Sequence, residues 1–179
     1  MPELISALTS KLRFVLAASL VAVLMPAQAG FEEDYEKQAW QEIQFQIPVA
    51  PKNESLIPFY VSVATDNRFF VDGSSVSVGS DGVVRFVLLV LTSGGARNVT
   101  FDGMRCETGE RRIYASGRSD GSWSKSRRND WEKIKDAVAN RHYAVLFYEY
   151  FCPGGIVARS DQEAVGALRA GVHPDNRRW

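Results

Sequence analysis

The pattern of apolar and polar positions changes period several times along the chain. Residues 14–25 form a largely apolar run of twelve, preceded by Lys11 and Arg13 and ended by Pro26. A bilayer core about 30 Å thick needs roughly 20 helical residues to span it, so this run is too short for a membrane helix. A basic start, a short apolar core, a helix breaker and Ala27-Gln28-Ala29 in that order predict a signal peptide over 1–29, cleaved after Ala29. Phe31, Tyr35, Ala39 and Ile43 then recur every four residues, which predicts one face of an acidic helix. From Ile43 the period drops to two, through Phe45, Ile47 and Val49. This predicts an extended arm, confined to a sheet edge or linker by Pro48, Pro51 and Pro58 because proline cannot donate to a ladder.

The body, 59–171, reads as strands separated by turns. Strands are predicted over 59–64, 74–78, 83–91, 97–106, 111–116 and 143–151. The stretches 83–91 and 143–151 are apolar on both faces, as central strands are. Turns fall at Asp81-Gly82 and Thr108-Gly109. Two helices are predicted. One is capped by Asn129, with Glu132 three residues on and Trp131, Ile134 and Val138 on one face; the other is capped by Ser160, with Glu163 in the same relation and Gly171 as its stop. Residues 172–179 are polar and predict a loose tail. The resulting organisation is a signal peptide, an acidic helix and arm over 30–58, one α+β core domain over 59–171 and the tail. Its sheet is antiparallel or mixed, with two or three packed helices and one disulfide.

Composition adds exclusions. At 179 residues, 45% hydrophobic and 23% charged, the chain is neither collagen-like nor disordered. Its 21 basic and 21 acidic residues balance, which argues against nucleic acid as a partner. No second long apolar run follows the leader, so no membrane span is expected after cleavage. Cys106 and Cys152 sit in no CxxC motif, and in an exported chain they predict a structural disulfide rather than a reactive or metal-bound thiol. Each ends a predicted strand, so the bond would staple two strand ends or a strand to its covering loop. With His142 and His173 these cysteines match no zinc spacing, so no metal is expected, and no cofactor.

Charge is segregated. Residues 30–58 hold six acids against two bases, whereas 97–128 hold eight bases against four acids, and seven of those bases are arginine. Arginine suits a bidentate grip on carboxylate or phosphate. Arg97, Arg105, Arg111, Arg112 and Arg118 are therefore the candidate anion- or partner-binding residues. Arg85 and Glu149 interrupt the two apolar stretches and form a candidate buried ion pair, because buried charges need partners. Asp102, Glu107 and Glu149 are candidate acids for a hydrolase of envelope polymers, which needs two carboxylates across a sugar. Trp123, Trp131 and Tyr114 offer a stacking surface for sugar or a share of the core. No G-x-S-x-G nucleophile motif, no P-loop and no catalytic triad pattern occurs, and His142 stands alone in the body.

Several segments together carry a resemblance: Phe70-Val71-Asp72-Gly73-Ser74-Ser75, Asp81-Gly82-Val83-Val84-Arg85-Phe86, Gly95-Ala96-Arg97-Asn98-Val99 and Gly103-Met104-Arg105-Cys106, followed by Arg112-Ile113-Tyr114-Ala115, Asp120-Gly121-Ser122-Trp123 and Tyr150-Phe151-Cys152-Pro153. In this order, between about Trp40 and Arg169, the chain resembles the CNP-like (cryptic neisserial protein) family of exported proteobacterial proteins. The resemblance implies a signal peptide, a periplasmic or envelope location and a single domain, and brings no catalytic residues with it. The expectation is a non-enzymatic periplasmic binding or accessory module for an envelope component, either a protein or an anionic glycan or lipid. The alternative is the hydrolase.

Overall fold

The computed structural model describes residues 39–128 and 130–178. The predicted signal peptide and residues 31–38 of the predicted acidic helix lie outside them; residues 39–43, the end of that expected helix, are irregular rather than helical. From Trp40 onward the chain forms one compact unit. Its frame is an antiparallel meander of β1 (Leu56–Phe59), β2 (Arg68–Val78), β3 (Val83–Leu91), β4 (Arg97–Arg105), β5 (Glu110–Gly117) and β6 (Trp123–Lys125), adjacent in that order. A two-residue strand, β7 (Glu132–Lys133), pairs with the start of β5. Strand β3 is central and buried along most of its length, as its apolar run requires. The β2–β3 turn is made by Asp81-Gly82, with Gly82 at φ +74°.

One face of the sheet carries the main core. Val71, Val84, Phe86, Leu88 and Met104 pack against a helical layer that supplies Leu146, Phe147, Phe151, Ala164, Ala167 and Leu168. That layer is α1 (Arg141–Val145), continued by a π-helical stretch Leu146–Phe151, and α2 (Asp161–Ala170). The capping of α2 follows the sequence: the Ser160 hydroxyl accepts from the Glu163 N–H, and Gly171 closes the helix at φ +78°. The disulfide joins Cys106, just past β4, to Cys152, just past the π-helical stretch, so it ties the sheet to its helical layer.

Several expectations are corrected. Of the strand expected over 59–64 only Phe59 is in the sheet; 60–67 are an irregular connection in which the Ser62 and Thr65 hydroxyls accept from the N–H groups of Ala64 and Asn67. Residues 143–151 are helical, not a strand. Tyr143, Leu146, Phe147, Tyr150 and Phe151 fall on one helical face and are buried, whereas Tyr148 and Glu149 are exposed. The helix predicted after Asn129 is an extended segment, held on β5 by Arg111 with Glu132 and Lys133 with Glu110 across the strands. The arm over 43–58 joins the ladder only at β1, the edge strand, where Pro58 is tolerated. Residues 40–51 instead lie as an irregular strap over the other face of the sheet, where Val87, Phe101, Tyr114 and Ala115 form a smaller core with Ile47, Val99 and Trp123.

Candidate functional site

The first candidate site is a cleft of about 500 Å³ at one end of the strap face. Arg97 opens β4, Arg118 follows β5, and Trp123 opens β6; the Ala50-Pro51 corner of the strap closes the other side. Adjacent antiparallel strands bring the ends of β4 and β5 together, although 21 residues separate the two arginines in the chain. The Trp123 indole N–H donates to the Pro48 carbonyl at 2.8 Å, which fixes its ring beside the arginines. Among the described residues the Arg97 guanidinium donates to the Asn53 side chain and the Arg118 guanidinium to the Ser122 hydroxyl, and to no others. Neither forms a salt bridge among the described residues, and no carboxylate lines the cleft. Two exposed guanidinium groups with spare donors beside an indole face can hold a phosphate or carboxylate on a ring-bearing ligand.

The second site lies in the middle of the same face, under the strap. Arg85 is 2% exposed. It points to the strap side because odd positions of β3 face that way, while Phe86 and Leu88 face the helices. The expected pairing of Arg85 with Glu149 is therefore corrected: Glu149 is exposed on the helical layer, on the opposite side of the sheet. Arg85 Nη2 donates instead to Asp81 Oδ2 at 2.6 Å and to Glu42 Oε1 at 3.0 Å. Glu42 also accepts from Arg112 Nη1 at 2.6 Å and from the Tyr114 hydroxyl.

Tyr114 reaches Glu42 because of two local features. Phe101 pairs with Ala115 and Asp102 with Ile113, so Tyr114 is the extra residue of a β-bulge. Its ring then lies over Gly103, where a Cβ would meet the hydroxyl at 2.2 Å. The electrostatics follow from the geometry. Burial resists ionisation of Asp81, but Arg85 and the Ile43 N–H together outweigh it and hold the carboxyl below its ordinary value. Burial, then the bond to Glu42, raises the Tyr114 phenol.

The five candidate arginines thus separate. Arg97 and Arg118 share the cleft. Arg105 and Arg112 lie at the strap, with Arg105 stacked 4.0 Å from the Trp40 ring centroid. Arg111 faces the helical layer, 4.3 Å over the Tyr143 ring.

The three candidate acids are not brought together, and none lines a described cleft. Asp102 is fully buried between β4 and α1 and accepts from the Thr100 and Tyr143 hydroxyls. Burial raises its carboxyl to about 7, against the lowering pull of those hydroxyls and of Arg111. Glu107 is exposed and paired with Arg105. Burial, then Arg111, lowers the His142 imidazole to about 4, and the ring stacks on Phe69.

His173, assigned to the tail by the sequence pattern, is 1% exposed. It gathers with Glu163 and Asp175 so that three potential ligand atoms lie within 4.8 Å. The Arg159 guanidinium already stands 3.8 and 3.7 Å from those two carboxylates.

The strap was the feature least visible in sequence. Beyond the alternation from Ile43 that predicts an extended arm, its signal is the spacing Trp40-x-Glu42-x-x-Phe45, two aromatics about one acid, ahead of an arginine in an apolar strand.

No curated protein and no solved structure matches the chain. A family model does match, over residues 35–169, which takes in every strand, α1, all but the last residue of α2, both cysteines and both candidate sites. The chain belongs to the CNP1-like family.

Proposed function

We propose that this protein is a non-enzymatic binding module of the periplasm, and that the Arg97–Arg118–Trp123 cleft recognises an anionic group on an envelope glycan or lipid. The observation that carries this reading is that two exposed arginines without salt bridges flank an oriented indole in a cleft free of carboxylates. An exported location is supported by the leader pattern of residues 1–29 and by the Cys106–Cys152 bond, which persists in oxidising compartments. Among the described residues no helix is long and apolar enough to cross a membrane.

The test is titration of the protein with oligouronates and with sugar phosphates at low ionic strength, read by tryptophan fluorescence. Saturable quenching that is lost in Arg97→Ala/Arg118→Ala and weakened by salt is expected. Crosslinking in cells, followed by mass spectrometry, then names the component that the double variant fails to capture. Absence of binding to either ligand class, with capture unchanged in the double variant, would refute the assignment.

A further inference from the structure

The strap is held in an unusual way. Among the described residues no backbone–backbone hydrogen bond ties residues 40–51 to the sheet. Its attachment runs through side chains. The Trp40 indole donates to the Asp81 carbonyl at 2.8 Å, the Ile43 N–H donates to Asp81 Oδ2 at 3.1 Å, and Glu42 sits among Arg85, Arg112 and Tyr114. The Phe45 ring lies 4.3 Å from Tyr114 and 4.8 Å from the Arg85 guanidinium, yet keeps 38% of its surface exposed. This is how a bound peptide is recognised: an acid in a guanidinium fork, with an aromatic anchor on each side.

The face beneath has donor capacity that the strap does not use. Arg85 Nε, Arg105 Nε and Trp131 Nε1 are all buried without a hydrogen-bond partner. All three belong to residues against the strap. Arg85 lies under Phe45, Arg105 under Trp40, and Trp131 meets Trp40 edge-on at 5.8 Å. Buried donors left unpaired are unfavourable, and an acidic ligand with more acceptors relieves them. The charges agree. Arg85 and Arg112 share Glu42, and Arg85 also pairs with Asp81, so Glu42 is the acid by which the strap engages both guanidinium groups.

We propose that this face is a peptide-recognition site whose resident ligand is the strap, and that the partner displacing it is an extended acidic peptide segment with an aromatic–x–acid–x–x–aromatic pattern like that of Trp40, Glu42 and Phe45. A tethered ligand competes at an effective concentration in the millimolar range, so the wild-type site is masked against weak binders and opens only to a better match. This site is separate from the Arg97–Arg118 cleft and does not depend on it.

The test uses the full chain and a fluorescent synthetic peptide covering residues 39–50, with binding read by anisotropy. Two variants loosen the strap by different routes. Glu42→Ala removes the acid, and Phe45→Ala removes an anchor while leaving every charge paired. Thermal melts report which of them stays folded. Peptide binding at least about tenfold tighter than to wild type is expected in each folded variant. Adding Arg112→Ala, or replacing the peptide's own glutamate with glutamine, should abolish it, whereas Arg97→Ala/Arg118→Ala should leave it unchanged. No gain in either folded variant would overturn the proposal. So would binding that survives Arg112→Ala, or binding that inorganic phosphate displaces while the glutamine peptide binds equally well, since that marks a generic anion site.

Discussion

Replacing Asp102 with asparagine removes a fully buried carboxyl from between β4 and the helical layer, and its effect depends on a second residue. Asp102 is raised from its ordinary 3.8 to about 7 in the fold. The folded state therefore holds this proton more tightly than the unfolded chain. Its contribution is fully present below about 3.8 and is lost as pH rises to about 7, a change of about 4 kcal/mol. His142 runs the other way. Its imidazole falls from 6.5 to about 4, so the fold favours the neutral ring. That contribution is present above about 6.5 and is lost as pH falls to about 4, a change of roughly 3 kcal/mol. Between pH 4 and 6.5 the two slopes oppose each other, and wild-type stability should be nearly flat.

Asp102→Asn keeps an acceptor for the Thr100 and Tyr143 hydroxyls but cannot titrate. It should lose roughly 3 kcal/mol between pH 6.5 and 4 as the His142 contribution stands alone. His142→Phe retains a ring to stack on Phe69 and should instead gain stability on acidification across that range. Asp81, Glu110 and Asp120, all held below their ordinary values, act only near and below about pH 4.5. The assay is urea denaturation followed by tryptophan fluorescence at half-unit steps from pH 4 to 8, with the disulfide intact. Stability curves of wild type and Asp102→Asn that run parallel across the interval would refute the reasoning, whatever their absolute offset.

Other outcomes follow from single contacts. Replacing both Cys106 and Cys152 with serine opens a loop of sequence separation 46 and should lower stability by about 4 kcal/mol on the chain-entropy account, measured by denaturation with and without reductant. Gly103→Ala places a methyl 2.2 Å from the Tyr114 hydroxyl and 2.7 Å from its Cζ. The ring must swing off Glu42, so a loss of about 1–3 kcal/mol in thermal unfolding and an altered near-ultraviolet circular dichroism spectrum are expected.

Much of the frame was legible because local signals and the tertiary fold agree. The run 83–91 has no polar face except at Arg85, so only a central strand accommodates it, and the Asp81-Gly82 turn sets its start. The Ser160 cap and Gly171 stop bracket α2 where the sequence places them. The run 143–151 is a different case. Its buried positions fit helical spacing, but aromatic residues favour strands, and an apolar run of this length does not separate the two by period. After Asn129 the capping pattern is present, yet Glu132 and Lys133 find opposite charges on β5, and cross-strand pairing prevails over local propensity. Arg85 announced a need for a partner without indicating which side of the sheet would supply it. The parity of β3 decides that, and parity is invisible until the helical layer has taken its side. For the same reason the arginine cluster of 97–128, one block in sequence, becomes two sites and a cation–π contact in space.

The strap also carries a kinetic consequence. The hairpins of the meander close over a few residues, but Glu42 meets Arg85, Arg112 and Tyr114 across 43, 70 and 72 residues, and Pro48 meets Trp123 across 75. Contacts of that separation form only after the intervening strands have paired, because the entropy of closing so long a loop must be met by a surface already in place. This predicts that the strap docks after the folding barrier has been crossed. Substitutions in it that weaken docking should leave the refolding rate at the wild-type value and appear almost entirely as faster unfolding.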